Sequence, residues 1–313
     1  MDLQHTKWTQ AQLPSMTGRT VFVTGGASGI GFQASKALAA CGARVIVLGR
    51  DRIKGEAAVE AIREHSPDAV LEFQEMDLGR LASIAAFAER WLATGDPVHL
   101  LLNVAGVMAV PRREATADGF EVHMGTNFLG HFALTAHLLP ALRSGHARIV
   151  TVSAAVGRWN MARLDPEDLH AERQSYSPMG AYARSKLAGI MFAVELHRRA
   201  SACGITSVAV DPGTAVTNLQ RNVAGLKGAI GRALSTTLGY PLTRAAENVL
   251  FAATMSAPTE SSLIGPSPGY VVQRCASPGD VGIPPLARDA RVREALWRKA
   301  ELLTAVTYSF TQH

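Results

Sequence analysis

The chain has 313 residues, of which 47% are hydrophobic and 18% charged, and its formal net charge is +5. This length and composition allow a large buried core and argue against extensive disorder. The basic residues are dispersed along the chain in runs of at most two, which argues against a nucleic-acid-binding surface.

Short strands rich in β-branched residues alternate with longer helical segments along the chain. The predicted strands are residues 20–24, 44–48, 70–76, 98–103, 148–153, 206–211 and 270–272. The predicted helices are residues 30–40, 52–64, 81–93, 119–143, 179–202 and 244–255. Apolar strands joined by helices are typical of a parallel sheet with crossover helices. The sequence therefore predicts one α/β domain over residues 1–313, a doubly wound Rossmann-type parallel sheet with helices on both faces. Its ligands should bind at the carboxyl ends of the strands.

Two segments are longer than this alternation requires. Residues 157–178 and 213–241 both follow carboxyl ends of strands, where long insertions are more often functional than incidental. The apolar spacing within 216–240 suits a lid over an apolar ligand, a helix packed on the core, or a subunit contact. Residues 265–285 are rich in Pro and Gly and are predicted to form a surface loop.

Cysteine usage and the amino terminus bear on the compartment. Cys41, Cys203 and Cys275 are widely spaced, which favours a reducing environment over a disulfide framework. The first 19 residues are polar and lack the apolar core of a signal peptide. The most apolar stretch, residues 98–110, is shorter than the ~20 residues of a membrane span. We therefore expect a cytoplasmic protein without a membrane span, and the scattered histidines predict no metal site.

A glycine-rich turn separates the first strand from the first helix. Gly25, Ser28, Gly29, Ile30 and Gly31 belong to this turn. Residues without a Cβ let the backbone approach a pyrophosphate, and the following helix offers free N–H groups and a partial positive charge. The turn predicts a dinucleotide site; a tight turn without a ligand is the alternative.

The end of the second strand predicts which dinucleotide is bound. NAD-binding folds carry an acidic residue there for the ribose hydroxyls, whereas this chain has Gly49 followed by Arg50. A guanidinium can bind the 2′-phosphate of NADP(H), so NADP is favoured over NAD, although Asp51 could reach the ribose. Arg50 could also be a solvated surface residue. Asp77 and Leu78, after the third strand, are placed to meet the adenine, or Asp77 caps the next helix.

Tyr182 and Lys186 are candidates for proton transfer. They lie four residues apart on a predicted helix and so share a face. A neighbouring ammonium stabilises a phenolate and lowers its pKa, which would make Tyr182 a general acid or base. Ser153, at the end of the fifth strand, could bind a substrate oxygen. Asn127 lies in a helix, where a buried amide needs hydrogen-bond partners.

Two further turns follow strand ends. Asn103, Ala105 and Gly106 end the fourth strand, and Pro212 with Gly213 ends the sixth. Each of these residues, taken singly, could equally be a cap, a core amide or an ordinary turn.

Taken in order, these motifs resemble the short-chain dehydrogenase/reductase family. The resemblance covers roughly residues 20–220 and includes Thr217 after Pro212 and Gly213. It implies that Ser153 positions a carbonyl, that Tyr182 supplies the proton, and that Lys186 holds the nicotinamide ribose. Asn127 would anchor a water behind Lys186. The set implied to bind the cofactor is Gly25, Ser28, Gly29, Ile30, Gly31, Arg50, Asp77, Leu78, Asn103, Ala105, Gly106, Tyr182, Lys186, Pro212, Gly213 and Thr217.

Two departures accompany the resemblance. The motif after the fourth strand usually begins Asn-Asn, whereas Val104 stands second here, a change that we expect to be tolerated. The gap between Ser153 and Tyr182 is longer than in the simplest members. Residues 182–189 and 195–199, with Leu296-Trp297 and 302–304, resemble retinol dehydrogenase-like and protochlorophyllide reductase-like members.

The resemblance implies an NADP(H)-dependent oxidoreductase acting on a mainly apolar carbonyl or alcohol, often as a homodimer or homotetramer. Because the sequence shows no membrane anchor, we do not expect retinoid specificity to carry over. Reduction of a C=C or C=N bond on the same scaffold, or a non-catalytic NADP-binding sensor, are the alternatives.

Overall fold

A computed structural model describes residues 8–158, 164–170, 172–173, 175–213, 241–256, 259, 262–267 and 277–310. They contain a sheet of eight strands in the order β3-β2-β1-β4-β5-β6-β7-β8. Strands β1 to β7 are parallel, and β8 pairs antiparallel with β7. The predicted fold class is confirmed, with an added antiparallel edge strand. The strands are β1 Thr20–Thr24, β2 Arg44–Gly49, β3 Leu71–Glu75, β4 Leu100–Asn103, β5 Arg148–Val152, β6 Thr206–Val210, β7 Leu263–Ser267 and β8 Ser277–Asp280.

The helices lie on both faces of the sheet. They are α1 Gly29–Ala40, α2 Arg52–Arg63, α3 Leu81–Leu92, the compound helix α4, α5 Leu139–Ser144, α6 Pro178–Ala200, α7 Leu242–Thr254, α8 Pro285–Arg288 and α9 Ala290–Thr304. Helix α4 consists of a first turn Val122–Met124, a π-helical segment Gly125–Leu129 and an α-helical segment Gly130–His137.

Side chains on the two faces of the sheet form two apolar layers. Alternating residues of β1 divide between them: Phe22 packs towards α3, α4 and α6, whereas Val21 and Val23 pack towards α1 and α7. Strand side chains alternate between faces with a period of two, so a strand between two helical layers is apolar at every position. All five residues of β1 are buried.

The prediction of one continuous helix over 119–143 is wrong. Helix α4 begins at Val122, where the carboxylate of Glu121 accepts the N–H groups of His123 and Met124. The chain then breaks at Leu138, and α5 starts with Pro140 in its first turn. Proline lacks an N–H and disrupts a helix interior but suits a helix start, so it separates the two helices.

The carboxyl-terminal part differs most from the sequence prediction. The surface loop predicted over 265–285 overlaps the end of β7 and contains β8, and α9 was not predicted. The strand predicted at 270–272 lies outside the described residues. Within the described part of the chain, no helix has the length and hydropathy of a membrane span.

Candidate active site

A cavity of about 660 Å³ opens at the carboxyl ends of the central strands. Turns after β1, β2, β3, β4, β5 and β6 all contribute to its wall, as expected for a doubly wound sheet. Most of the sequence-predicted site residues lie on this wall: Gly25, Ser28, Gly29, Ile30, Gly31, Arg50, Asp77, Leu78, Ala105, Gly106, Ser153, Tyr182, Lys186, Pro212 and Gly213.

The glycine turn is tightly packed. Gly25 has a φ of +67°, and a Cβ there would lie 3.0 Å from the Cα of Ala105. A Cβ on Gly31 would lie 2.5 Å from the carbonyl oxygen of Gly25. Ser28 precedes α1, but its hydroxyl does not cap the helix. The turn therefore has the close backbone approach and free helix N-terminus that fit a pyrophosphate.

Arg50 is an exposed residue on the cavity wall. The carboxylate of Asp51 caps α2 by accepting the N–H of Lys54 at 3.1 Å, and it also pairs with the Lys54 ammonium. Asp51 is thus engaged by α2, and it lines the same cavity together with Lys54, so a contact between Asp51 and a ribose stays an alternative. An NAD-binding fold would carry an acidic side chain at the position of Gly49. Arg50 follows that position directly.

Asp77 does not cap α3. Its carboxylate accepts the N–H of Gly79 at 2.9 Å, whereas the N–H of Leu81 at the start of α3 donates to Asp118. The capping alternative is therefore wrong, and Asp77 remains on the cavity wall.

Tyr182 and Lys186 share the cavity-facing side of α6, which begins at a Ser177 cap with Pro178 in its first turn. The Lys186 Nζ lies 5.7 Å from the centre of the Tyr182 ring and donates to the carbonyl of Val152 at 2.8 Å. Both side chains are more than nine-tenths buried.

Burial acts on both titratable groups. It raises the pKa of Tyr182 above its ordinary value, with the charge of Asp211 as the second cause. Burial also lowers the pKa of Lys186 to about 8, an effect that Asp211 opposes. The net pKa of Tyr182 is therefore not lowered in the protein alone, because desolvation of the phenolate outweighs the stabilisation that a neighbouring ammonium gives. Tyr182 is protonated at neutral pH, which is the form that donates a proton.

Ser153 and Asn127 are both held by the surrounding backbone. The Ser153 hydroxyl donates to the carbonyl of Lys186 at 2.9 Å. The Asn127 amide accepts the N–H of Val107 at 2.8 Å, donates to the Val107 carbonyl at 3.0 Å, and donates to the Ser185 hydroxyl at 2.9 Å. This buried amide therefore has the hydrogen-bond partners that it was expected to need, and they join the segment after β4 to α6. A water-anchoring role for Asn127 stays a prediction.

Among the predicted cofactor residues that the structure describes, Asn103 is not on the wall. Asn103 is buried at the end of β4, between Thr24 of β1 and Thr151 of β5, because it ends a central strand rather than entering the turn. Thr217 lies outside the described residues.

The comparisons agree with this geometry. The family model described as short chain dehydrogenase matches residues 19–165. A Danio rerio protein named polyprenol dehydrogenase is 36% identical over 295 residues, which cover 92% of this chain and 87% of that protein. The chain belongs to the short-chain dehydrogenase family.

The resemblance to retinol dehydrogenases is also confirmed. Human retinol dehydrogenase 12 is 42% identical over 215 residues, which cover 68% of this chain and 66% of that protein. The chain spans 64% to 66% of the mammalian polyprenol and retinol dehydrogenases that it matches at 40–46% identity. A solved structure of an uncharacterised protein from Mycobacterium Paratuberculosis superposes with a TM-score of 0.79 at 37% identity, covering 97% of this chain and all of the other.

This short-chain dehydrogenase has an apolar part of the cavity that sequence reasoning did not identify. Six apolar residues come from the segments after β4 and β5 and from the start of α6: Val107, Met108, Ala154, Ala155, Val156 and Met179. Only the three-dimensional structure brings these separate segments together. The described part of the 157–178 insertion does not line the cavity. Part of it packs against residues 110–123, where His170 stacks on Phe120, and Glu167 pairs with Lys299 of α9. The lid alternatives for 216–240 lie outside the described residues.

A buried polar pair lies behind Tyr182. The His123 ring contacts the Tyr182 ring edge-on at 6.3 Å, and its Nδ1 lies 2.7 Å from the Glu121 carboxylate. His123 Nε2 accepts the N–H of Val110, and the Tyr176 hydroxyl donates to the Val110 carbonyl. The pair therefore fixes the segment after β4 beside the tyrosine.

Proposed function

We propose that this short-chain dehydrogenase is an NADP(H)-dependent enzyme that transfers hydride between the nicotinamide and a carbonyl or alcohol carbon of a mainly apolar small molecule. Tyr182 is the general acid in the reducing direction and the general base in the oxidising direction.

The observation that carries this proposal is a single continuous cavity. It connects the glycine turn and Arg50 with Ser153, Tyr182 and Lys186. A dinucleotide held by its pyrophosphate at the glycine turn would extend its nicotinamide towards Tyr182. The positions where a Cβ would clash, Gly25 and Gly31, provide the close approach that such a ligand needs.

The preference for NADP rests on charge at the end of β2. Arg50 is exposed on the wall, Gly49 leaves the acidic position empty of a carboxylate, and Asp51 is engaged with Lys54. An exposed guanidinium there can form charge-assisted hydrogen bonds with a 2′-phosphate.

The chemistry needs one hydride and one proton. When bound, NADPH supplies the hydride to the carbonyl carbon, and the Tyr182 hydroxyl supplies the proton to the carbonyl oxygen, which yields an alcohol. Ser153 binds that oxygen, exchanging its hydrogen bond with Lys186 for one to substrate. The charge of Lys186 stabilises the tyrosinate that remains. The six apolar wall residues favour an apolar substrate, because transferring apolar surface out of water is favourable.

The test is the oxidation of NADPH and of NADH with a panel of apolar aldehydes and ketones. We expect kcat/KM to be higher with NADPH than with NADH. Arg50→Ala should weaken the binding of NADPH by about one to two decades and leave the binding of NADH nearly unchanged. That range corresponds to the ~1.5–3 kcal/mol of a hydrogen bond to a charged group.

Arg52→Ala is the matched control. Arg52 lies two residues further on, pairs with Glu56 and Glu75, and is off the cavity wall, so its loss should leave the cofactor ratio unchanged. All reactions are run at one ionic strength, since salt screens exposed charges. A preference for NADH, or an unmoved ratio in Arg50→Ala, would contradict the cofactor assignment.

A further inference from the structure

His131 lies in the core beneath the cavity and has a partner on each side. It is on α4, four residues after Asn127, and is 1% exposed. Its Nδ1 lies 3.1 Å from the carbonyl oxygen of Asn127. Its Nε2 lies 2.9 Å from the hydroxyl of Thr24, the last residue of β1.

These two contacts define which ring nitrogen carries the proton. A carbonyl oxygen only accepts hydrogen bonds, so Nδ1 must be the protonated nitrogen. Burial lowers the pKa of His131 to about 4, which keeps the ring neutral at physiological pH. Nε2 is then bare and accepts the hydroxyl proton of Thr24, which has a longer alternative at 3.3 Å to the carbonyl of Leu102.

Thr24 connects the ring to the cofactor side. Its hydroxyl oxygen accepts the N–H groups of Val104 at 2.9 Å and Ala105 at 3.1 Å. Gly25 follows Thr24 directly, and Ala105 is the residue that a Cβ on Gly25 would meet. The hydroxyl thus holds together the glycine turn and the turn after β4.

Asn127 connects the ring to the proton-transfer side. Its amide holds Val107 and the Ser185 hydroxyl, which in turn donates to the carbonyl of Tyr182 at 2.8 Å. The carbonyl that His131 binds belongs to the π-helical segment Gly125–Leu129. Hydrogen bonds, joined through the covalent bonds of Thr24, His131 and Asn127, therefore link the glycine turn to the helix that carries Tyr182.

We propose that His131 is a positioning residue, which couples the cofactor turn to the helix of Tyr182 through Thr24 on one side and Asn127 on the other. This inference rests on the proposed function, because it assigns His131 to the binding of NADPH and to the geometry of proton transfer.

Two substitutions separate the two contacts. The amide nitrogen of asparagine is two bonds from Cβ, like Nδ1, so His131→Asn keeps a donor for the Asn127 carbonyl and loses the acceptor for Thr24. The amide oxygen of glutamine is three bonds from Cβ, like Nε2, so His131→Gln keeps the acceptor for Thr24 and loses the donor to Asn127.

The two variants should divide the kinetic effect. His131→Gln should lower kcat about 2- to 10-fold with little change in the KM for NADPH, the range expected from one lost hydrogen bond. His131→Asn should raise the KM for NADPH by a similar factor with little change in kcat. His137→Gln, on the same helix and only half-buried, is the control and should alter neither parameter. Any other division between kcat and KM, including equal losses or a lower Tm with unchanged kinetics, overturns the proposal.

A measurement without turnover separates this inference from the proposed function. The ring nitrogens of His131 in ¹⁵N-histidine-labelled wild-type protein, assigned through bonds to its backbone, should report Nδ1–H and no titration between pH 5 and 9. A protonated Nε2, or a ring that titrates in that range, overturns the proposal even if the enzyme is active. If the ring behaves as expected and neither cofactor is turned over, the proposed function has failed and the hydrogen-bond assignment stands.

Discussion

Lys186 illustrates the conflict between function and stability at one residue. Its ammonium is buried beside Tyr182 with the Val152 carbonyl as acceptor, and burial lowers its pKa to about 8 from the ordinary 10.5. At pH values between those two pKa values, the lysine is protonated in the unfolded chain and neutral in the folded protein. The burial of Lys186 therefore opposes folding most below pH 8, and the opposition fades as the pH rises towards 10.5.

Lys186→Met should therefore lose activity and gain stability. Met fills a similar volume without a charge, and the pKa depression corresponds to a cost on the order of 3 kcal/mol for burying the charged form of Lys186. Urea unfolding of wild type and variant at pH 7 and pH 9.5 checks this, with the gap expected to shrink at the higher pH. Lys36→Met, at a half-buried lysine of α1 away from the cavity, is the control. A variant less stable than wild type at pH 7 would contradict the argument.

Sequence reasoning at the residue scale succeeded where the signal is local. Tyr182 and Lys186 share a face because of their four-residue spacing, and the glycine turn is read from consecutive residues. The pKa of Tyr182 and the role of His131 depend on burial and on contacts between β1 and α4, residues separated by more than a hundred positions. A single sequence does not report such contacts.

At the scale of elements, α4 crosses close to the turn after β3. A Cβ on Gly130 would lie 2.4 Å from the carbonyl oxygen of Leu78, a backbone atom that cannot rotate away. By contrast, a Cβ on Gly189 of α6 would meet only the Thr151 methyl at an ordinary 3.5 Å. A Cβ therefore fits at Gly189 but not at Gly130 unless the backbone moves.

Gly130→Ala should displace Leu78 and so weaken NADPH binding and lower the Tm, because backbone must shift. Gly189→Ala is the matched control, and it should be neutral or stabilise the protein by up to ~1 kcal/mol from helix propensity. Thermal unfolding and NADPH fluorescence titration of both variants check the pair. Equal behaviour of the two variants would contradict the reading of the α4 crossing.

Element boundaries were predicted well for β1 to β6 and less well afterwards. The apolar runs of the central strands are unambiguous because both faces are buried. The π-helical segment and the break at Leu138 interrupt a periodicity that looks continuous in the sequence. Strands β7 and β8 each contain a Gly and a Pro, residues that favour a loop in any pattern-based prediction.

At the scale of the whole molecule, the parallel sheet follows from the alternation of strands and helices, but the attachment of the carboxyl-terminal part does not. Buried Glu195 of α6 pairs with Arg198, Arg199 and Arg293, the last of them on α9. The Tyr308 hydroxyl donates to the carbonyl of Phe132 on α4 at 2.7 Å. These charged and aromatic contacts hold α9 and the following segment against the core, and no local pattern predicts them.

The central claim is that Tyr182 supplies the proton in an NADPH-dependent reduction. The most direct test is to measure kcat and the NADPH dissociation constant for wild type and Tyr182→Phe, which removes only the hydroxyl. The account predicts a loss of about 10²–10⁴ in kcat, with the dissociation constant changed by less than about threefold, because the proton is used only in the chemical step. A Tyr182→Phe enzyme that keeps a kcat close to that of wild type would contradict it.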